Sequence, residues 1–133
     1  MHPLQEGATL GERIRFYRNK RNMHGHQLAK QVGLSRYAIM DYENNQSEPA
    51  LDDLKKIAEA LHVNVDKLYD GYYRFLDYPY GEKIQQLRKQ HSLSTQQLAT
   101  MLGSDRRTIE KWENGQGMVT RKIWGKFKRI GLI

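Results

Sequence analysis

The sequence predicts an all-α protein built from two similar helical bundles in tandem, and two observations carry that prediction. Apolar residues recur at intervals of three and four along most of the chain, the spacing that places them on one face of an α-helix. When the sequence is shifted by 70 residues, the stretch 11–56 aligns without a gap on 81–126, with identities that include Gly11 with Gly81. A resemblance that keeps register over such a length indicates a duplicated module.

In the first copy the most informative stretch is residues 27–44, and the second copy holds its counterpart. Leu28 and Val32 lie on one face of a predicted helix, and Gly33 follows where a left-handed residue would end it. Ser35 is then a good N-cap for a second helix. A helix, a short turn containing glycine and another helix form the helix-turn-helix signature, whose second helix suits the major groove of DNA.

We divide the chain into a disordered tail at residues 1–8, a first domain at 9–69, an aromatic-rich linker at 70–80 and a second domain at 81–133. The first domain is predicted to hold five helices, the first of them capped by Thr9. The second domain is predicted to be truncated to about four helices, and its core needs the linker or another subunit to be complete. Residues 69–80 hold six aromatic side chains. This density favours packing on a domain or on a partner chain over stacking on unpaired bases.

The net charge of +7 is concentrated in one half of the chain. Residues 1–70 hold ten basic and ten acidic side chains, whereas residues 81–133 hold eleven basic and four acidic ones. A basic surface supplies the sequence-independent attraction to phosphate that nucleic-acid-binding proteins use. A solvated basic surface without a ligand is the alternative interpretation.

Composition also argues against several classes of protein. The chain has no cysteine, which excludes a disulfide framework and a thiolate metal site. It has neither an apolar run as long as a membrane span nor a signal-peptide pattern, so we expect a cytoplasmic protein that does not associate with membranes. Its five histidines are scattered and form no metal-binding or acid–base pattern with carboxylates. We therefore expect neither an enzyme nor a protein that needs a metal or cofactor.

Both halves resemble the phage-repressor and Cro-like helix-turn-helix proteins, the XRE family. The motifs that carry the resemblance are Gln27-Leu28-Ala29, Gly33-Leu34-Ser35 and Tyr42-Glu43-Asn44 in the first half, and Gln97-Leu98-Ala99 and Trp112-Glu113-Asn114-Gly115 in the second. The resemblance implies two Cro/repressor-like bundles that each present a third helix to double-stranded DNA. Gly25 and Thr95 depart from the family pattern, since a phosphate-binding glutamine is common at their position.

The resemblance also implies which side chains contact DNA. An arginine that opens the third helix, Arg36 or Arg106, can pair with guanine through two hydrogen bonds. Asp41 can accept only from cytosine and repels phosphate, a liability that we do not expect on the second face. A family arginine late in the first helix pairs with the glutamate of the Glu-Asn motif and touches phosphate, and it maps onto Arg18 and Arg88. A purely structural ion pair is the alternative for both. The complete set is Arg18, Arg36, Tyr37, Asp41, Asn44, Gln46, Arg88, Thr95, Gln96, Arg106, Arg107, Thr108, Lys111 and Asn114.

These observations predict a sequence-specific transcriptional regulator that binds double-stranded DNA, as a repressor of mobile-element or phage-like origin. One chain would engage two adjacent major-groove sites, and a homodimer through the aromatic segment is a second arrangement. The alternative is a protein-interaction module such as an antitoxin or antirepressor, whose neutral first domain binds a protein partner.

Overall fold

The computed structural model describes residues 4–133, and within that range the regular secondary structure is entirely helical. The chain divides into two compact units, Met1–Gly71 and Tyr72–Ile133. The predicted all-α architecture of two tandem bundles is therefore confirmed. No helix among the described residues is long and apolar enough to cross a membrane.

Within residues 4–71 the first unit contains four α-helices and a closing 3₁₀ turn. They are α1 (Leu10–Lys20), α2 (Gly25–Val32), α3 (Arg36–Glu43), α4 (Leu51–Ala60) and the 3₁₀ turn Val65–Lys67. Thr9 and Glu12 cap α1 reciprocally, each side chain accepting from the other residue's backbone N–H at 3.2 Å. Gly33 ends α2 with a φ of 75°, in the left-handed region that glycine adopts without strain.

The core of the first unit draws a fully buried aliphatic side chain from each element or its immediate end. These side chains are Ile14 of α1, Leu28 of α2, Ile39 of α3, Leu54 of α4 and Leu68 after the 3₁₀ turn. The buried residues of α4 are Leu54, Ile57 and Ala58, which lie on one face of the helix and make it a core face. The fifth helix of the prediction is a single 3₁₀ turn, capped by Asn64 through a 2.9 Å hydrogen bond from the Asp66 N–H.

The second unit repeats this arrangement and adds a helix before it. Its helices within residues 71–133 are α5 (Gly71–Asp77), α6 (Tyr80–Gln90), α7 (Thr95–Leu102), α8 (Arg106–Glu113) and α9 (Arg121–Arg129). Helices α6, α7 and α8 correspond to α1, α2 and α3, and α9 follows in the order that α4 has in the first unit. Ser94 opens α7 with a capping box, and Gly103 ends it with a φ of 67°.

The aromatic segment, which the sequence analysis treats as a linker at residues 70–80, forms α5 and belongs to the second unit. The Tyr72 hydroxyl donates to the Val119 carbonyl at 2.7 Å, and Phe75 joins the core cluster with its ring 6.1 Å from that of Phe127. The boundary between the units falls at Gly71, because these aromatic side chains are buried by the helices that follow them. Residues 81–133 thus hold the four predicted helices, α6 to α9, and the aromatic segment adds α5 and completes the core that they form, as the first of the two predicted alternatives had it.

Within the predicted disordered tail at residues 1–8, residues 5–8 form a turn, and the disorder stays a prediction. Residues 1–3 lie outside the described residues. The Ala8 N–H donates to the Gln5 carbonyl at 3.1 Å, and the Ala8 carbonyl accepts from Arg13 Nε at 3.0 Å. Ala8 itself is buried, so this short turn packs on α1.

One pair of glycines sets how closely the first helix of each repeat approaches the third. A Cβ atom built on Gly11 of α1 would lie 2.6 Å from the Glu43 carbonyl oxygen at the end of α3. A Cβ on Gly81 of α6 would lie 2.6 Å from the carbonyl oxygen of Glu113 at the end of α8. No real Cβ tolerates such a contact with backbone, which explains why glycine recurs at this position of the repeat.

Candidate nucleic-acid interface

Helix α3 presents a mixed polar and apolar face to solvent. Ser35 caps it through a 3.1 Å hydrogen bond from the Ala38 N–H, and Ile39 points into the core. The outward residues are Arg36, Tyr37, Met40 and Asp41, all of them exposed. Tyr37 and Met40 are 62 % and 52 % exposed, which is unusual for large apolar side chains one helical turn apart.

Arg36 is partly held by its neighbour on this face. Its Nη2 donates to the Tyr37 hydroxyl at 3.1 Å, and its guanidinium carbon lies 5.0 Å from the centre of the Tyr37 ring. This cation–π arrangement leaves the arginine exposed but couples its position to the ring. Arg36 and Asp41 have opposite charge, so the outward face of α3 has no net charge.

Helix α8 presents a cationic face at the corresponding positions. Arg106, Arg107, Glu110 and Lys111 replace Arg36, Tyr37, Met40 and Asp41 in the repeat, and all four are exposed. Three cations and one carboxylate leave two net positive charges on this face. Glu110 corrects the expectation that the second face carries no acidic side chain: its Oε1 lies 3.4 Å from Arg106 Nε, as an exposed i,i+4 pair.

The N-terminus of α8 is fixed by Asp105. Its carboxylate accepts from the Thr108 N–H at 2.8 Å and from the Thr108 hydroxyl at 3.0 Å. These hydrogen bonds, the backbone one first, lower the pKa of Asp105. Thr108, a predicted DNA contact, is half-buried, and both its N–H and its hydroxyl already donate to the capping Asp105.

The two predicted phosphate-touching arginines form bidentate pairs inside the protein. Arg18 Nε and Nη2 each donate to a carboxylate oxygen of Glu43 at 2.7 Å, and Nη1 donates to the Met23 carbonyl at 2.7 Å. Arg88 binds Glu113 at 2.9 Å through the same two nitrogens, and its Nη1 binds the Leu93 carbonyl at 3.0 Å. The hydrogen bonds to the carboxylates raise the pKa of both arginines. The arrangement ties the first helix of each repeat to the end of the third.

Arg15 is a functional candidate that the sequence analysis missed. Its Nε lies 3.1 Å from Glu43 Oε1, and its Nη2 donates to Asn44 Oδ1 at 2.7 Å. Arg15 also lines an open cleft together with His24, His26 and Arg36, which places it beside α3. Its position one turn before Arg18 on a basic helix was the available signal. Gln85 occupies the same place in the second repeat, so the two units differ here.

The remaining predicted residues lie at or near the ends of α3, α7 and α8. Asn44 follows α3 and is engaged by Arg15, while Gln46 Nε2 donates to the Asn44 carbonyl at 3.3 Å. Thr95 and Gln96 begin α7, the former half-buried and the latter exposed. Asn114 is exposed at the end of α8. Among the described residues no group of histidine, cysteine and carboxylate side chains is arranged to hold a metal ion.

Two protein-family descriptions match the chain, one on each unit. "Helix-turn-helix domain" matches residues 11–74, and "Helix-turn-helix" matches residues 84–127. Together the two matches cover most of the chain. The protein belongs to the helix-turn-helix family, as two tandem phage-repressor and Cro-like domains.

Similar proteins include two phage repressors. The repressor protein C2 of Salmonella phage P22 is 37 % identical over 62 residues, which is 47 % of this chain and 29 % of that protein. The immunity repressor of Bacillus phage phi105 is 35 % identical over 60 residues, or 45 % of this chain and 42 % of that one. The chain thus spans less than half the length of these two relatives. A crystal structure of the P22 c2 repressor with a synthetic operator is 36 % identical, with a TM-score of 0.46, over 48 % of this chain and 97 % of that one.

Within this helix-turn-helix protein ten of the fourteen predicted residues fall into two groups. Arg36, Tyr37 and Asp41 share the outward face of α3, and Arg106, Arg107 and Lys111 share that of α8. The other group is engaged by the protein itself and consists of Arg18, Arg88, Asn44 and Thr108. The DNA contacts assigned to both groups remain predictions.

Proposed function

We propose that this helix-turn-helix protein is a sequence-specific transcriptional repressor that binds double-stranded DNA. The observation that carries the proposal is the exposed face of α8, where Arg106, Arg107 and Lys111 project from one rigid helix. Side chains of this kind can reach both phosphates and the O6 and N7 acceptors of guanine in the major groove. The family membership of both units and the names of the phage repressors support the same function.

The geometry supports unequal roles for the two faces. The α8 face has two net positive charges, and the α3 face has none. Since phosphate attraction provides much of the affinity of DNA-binding proteins, we expect α8 to dominate the free energy of binding. The buried pairs of Arg18 with Glu43 and of Arg88 with Glu113 then act as braces that hold each reading helix in place. Any phosphate contact from them is secondary, because Nε, Nη1 and Nη2 of each arginine already donate to an acceptor in the protein and only the second N–H of each Nη is left.

A selection of random duplex DNA against the full chain tests the proposal. We expect an enriched motif whose binding weakens steeply with salt. The variant Arg106→Gln/Arg107→Gln should lose the motif and retain weak, non-specific binding. A matched control, Lys89→Gln/Lys122→Gln, removes two exposed charges from the same unit outside α8 and should weaken all duplexes without changing the preferred motif. Failure to enrich any motif would refute the proposal.

A protein partner for the first unit is a second candidate function, as in an antitoxin or antirepressor. The observation in its favour is the α3 face, which has no net charge and exposes Tyr37 and Met40, since contiguous apolar surface is typical of protein-binding sites. It predicts partner binding that salt leaves unchanged. A homodimer through the aromatic segment is less well supported, because Tyr72, Tyr73 and Phe75 are already buried within the chain. Light scattering of the free protein measures that directly.

A further inference from the structure

The two outward faces differ in chemistry at every position except the first. Arg36 and Arg106 correspond, but Tyr37 is replaced by Arg107, Met40 by Glu110 and Asp41 by Lys111. The folds behind these faces are the same: an N-capping side chain, a buried isoleucine and a buried or nearly buried glutamate recur in both helices. The repeat has therefore kept the support for the reading helix while the reading surface has diverged.

The α8 face is suited to guanine. Arg107 and Lys111 lie one turn apart and are free of the exposed pair that Arg106 makes with Glu110. In the major groove guanine offers two acceptors, O6 and N7, which arginine and lysine donors match. Glutamate accepts from the amino group of cytosine, the partner of guanine in the pair. All four side chains thus favour a block of G·C pairs.

The α3 face is suited to a different block. Tyr37 and Met40 form an exposed apolar strip along the middle of the face, and the only group that the major groove offers to such a strip is the 5-methyl of thymine. Arg36 is drawn towards the Tyr37 ring, and its Nη2 is occupied by the Tyr37 hydroxyl, which leaves its other nitrogens for one guanine or phosphate. Asp41 can accept only from an amino group, as on cytosine or adenine.

We propose that the two units read unlike DNA sequences, α8 a guanine-containing block and α3 a block in which thymine methyl groups contact Tyr37 and Met40. The operator of one chain is then a composite of two different blocks, not a repeat of one. This inference rests on the proposed function, because it specifies what the same two faces recognise. A protein docked on Tyr37 and Met40 is the competing use of that strip, and it is an outcome of the test below.

The first step of the test is the selection on wild-type protein, followed by single-base chemistry on the enriched duplex. Replacing a contacted thymine by deoxyuridine removes only the 5-methyl group. Burial of one methyl corresponds to about a fourfold change in affinity, so we expect about a fourfold loss at each contacted thymine. Deoxyuridine at a thymine outside the enriched blocks is the control and should change nothing.

Coupling to the protein assigns each block to its helix. In Met40→Ala and Tyr37→Ala the loss caused by deoxyuridine should shrink towards none, while substitution of guanine by 7-deazaguanine in the other block should still weaken binding. In Arg107→Gln the pattern should be reversed: the 7-deazaguanine effect disappears and the deoxyuridine effect remains. All three variants change exposed side chains, and unchanged circular dichroism verifies that they fold.

The outcomes separate the inference from the proposed function. If no motif is enriched, the proposed function fails and the inference fails with it. If two copies of one block are enriched, or a guanine block alone, DNA binding stands and the inference is overturned. If deoxyuridine has no effect, or an effect that Met40→Ala and Tyr37→Ala leave intact, Tyr37 and Met40 do not read methyl groups, and a protein partner becomes the use of that strip.

Discussion

Arg88 and Glu113 form a bidentate ion pair in which two nitrogens each lie 2.9 Å from a carboxylate oxygen. The side chains are 13 % and 7 % exposed, so the charges are largely removed from water. The first unit makes the same pair between Arg18 and Glu43 but adds Arg15 as a second cation on the carboxylate. The second unit therefore depends on a single arginine where the first has two.

We expect Arg88→Met to destabilise the second unit more than Arg18→Met destabilises the first. Removing one partner of a buried pair leaves an uncompensated charge, which costs about 3–5 kcal/mol of unfolding free energy. Glu113 would be left in that state, whereas Glu43 would keep Arg15. Urea unfolding followed by tryptophan fluorescence measures the second unit alone, since both tryptophans, Trp112 and Trp124, lie in it.

The control for this prediction is Lys89→Met, which removes a positive charge from the adjacent exposed position of α6. It should change the unfolding free energy by less than about 0.5 kcal/mol. The unfolding free energy of Arg18→Met is followed by circular dichroism, because that signal reports on both units. Equal losses from Arg18→Met and Arg88→Met would show that Arg15 does not compensate for Arg18.

Two glycine substitutions in the second unit should change its stability in opposite directions. Gly81→Ala forces a Cβ to within 2.6 Å of the Trp112 and Glu113 carbonyl oxygens, so α6 must move away from α8. Overpacking of this kind costs about 1–3 kcal/mol. In Gly125→Ala the new Cβ meets no atom within 4 Å, and alanine favours the interior of α9 by about 0.5–1 kcal/mol. Tryptophan fluorescence in urea compares both variants, and a stabilised Gly81→Ala would contradict the close approach of the helices.

The sequence predicted those features of the fold that depend on local chemistry. Thr9 and Ser35 mark helix starts because their hydroxyls accept from N–H groups three residues on, and Gly33 marks an end because its φ is positive. The repeat extended two of these signals to the second unit, where Asp105 caps α8 and Gly103 ends α7, whereas Pro79 at the position of Thr9 provides no side-chain cap.

The features that were missed depend on packing between distant residues. The aromatic residues of α5 indicate burial but not which core buries them, and that core includes residues as distant in the chain as Phe127, 52 residues after Phe75. The spacing of Arg15 from Arg18 marked it as a candidate, but its acceptors Glu43 and Asn44 lie at the end of another helix and become neighbours only in the folded unit. Glu110 escaped notice because its counterpart Met40 is uncharged, so the repeat gave no warning of a carboxylate on the second face.

Acid should weaken the start of α8 only below the usual range of an aspartate. The hydrogen bonds from Thr108 lower the pKa of Asp105, whose value in the unfolded chain is about 3.9. The ionised cap thus stabilises the second unit above about pH 3.9 and loses this contribution as the pH falls through the lower folded value. The amide signal of Thr108 in an NMR titration should move with a midpoint below 3.9.

Asp105→Ser is the matched control for that titration. Serine caps the corresponding helix of the first unit at Ser35, so it should hold α8 without titrating. The Thr108 signal should then be flat across the same pH range. A midpoint at or above 3.9 in the unaltered protein would show that the hydrogen bonds do not favour the ionised carboxylate.

The carboxylate of Glu110 should restrain DNA binding by the second unit. It lies 3.4 Å from Arg106 on the exposed face of α8, where it offsets one of three cations. Glu110→Gln releases Arg106 and raises the net charge of the face from two to three. An exposed charge contributes up to about 1 kcal/mol, so we expect affinity for non-specific duplex to rise by about two- to fivefold at low salt. The gain should fade as added salt screens the charges.

Binding titrations on random duplex and on the enriched duplex show what a gain in affinity from Glu110→Gln means. Glu59→Gln removes an exposed carboxylate from α4 in the first unit. It should produce a smaller gain in affinity, since Glu59 does not lie on the face of α8. An equal gain from both variants would mean that only total charge matters and that α8 has no special place in binding. On the enriched duplex the affinity can fall instead, because Glu110→Gln removes a carboxylate that accepts from cytosine. A gain on random duplex with a loss on the enriched one would identify Glu110 as a side chain that reads bases rather than one that merely repels phosphate.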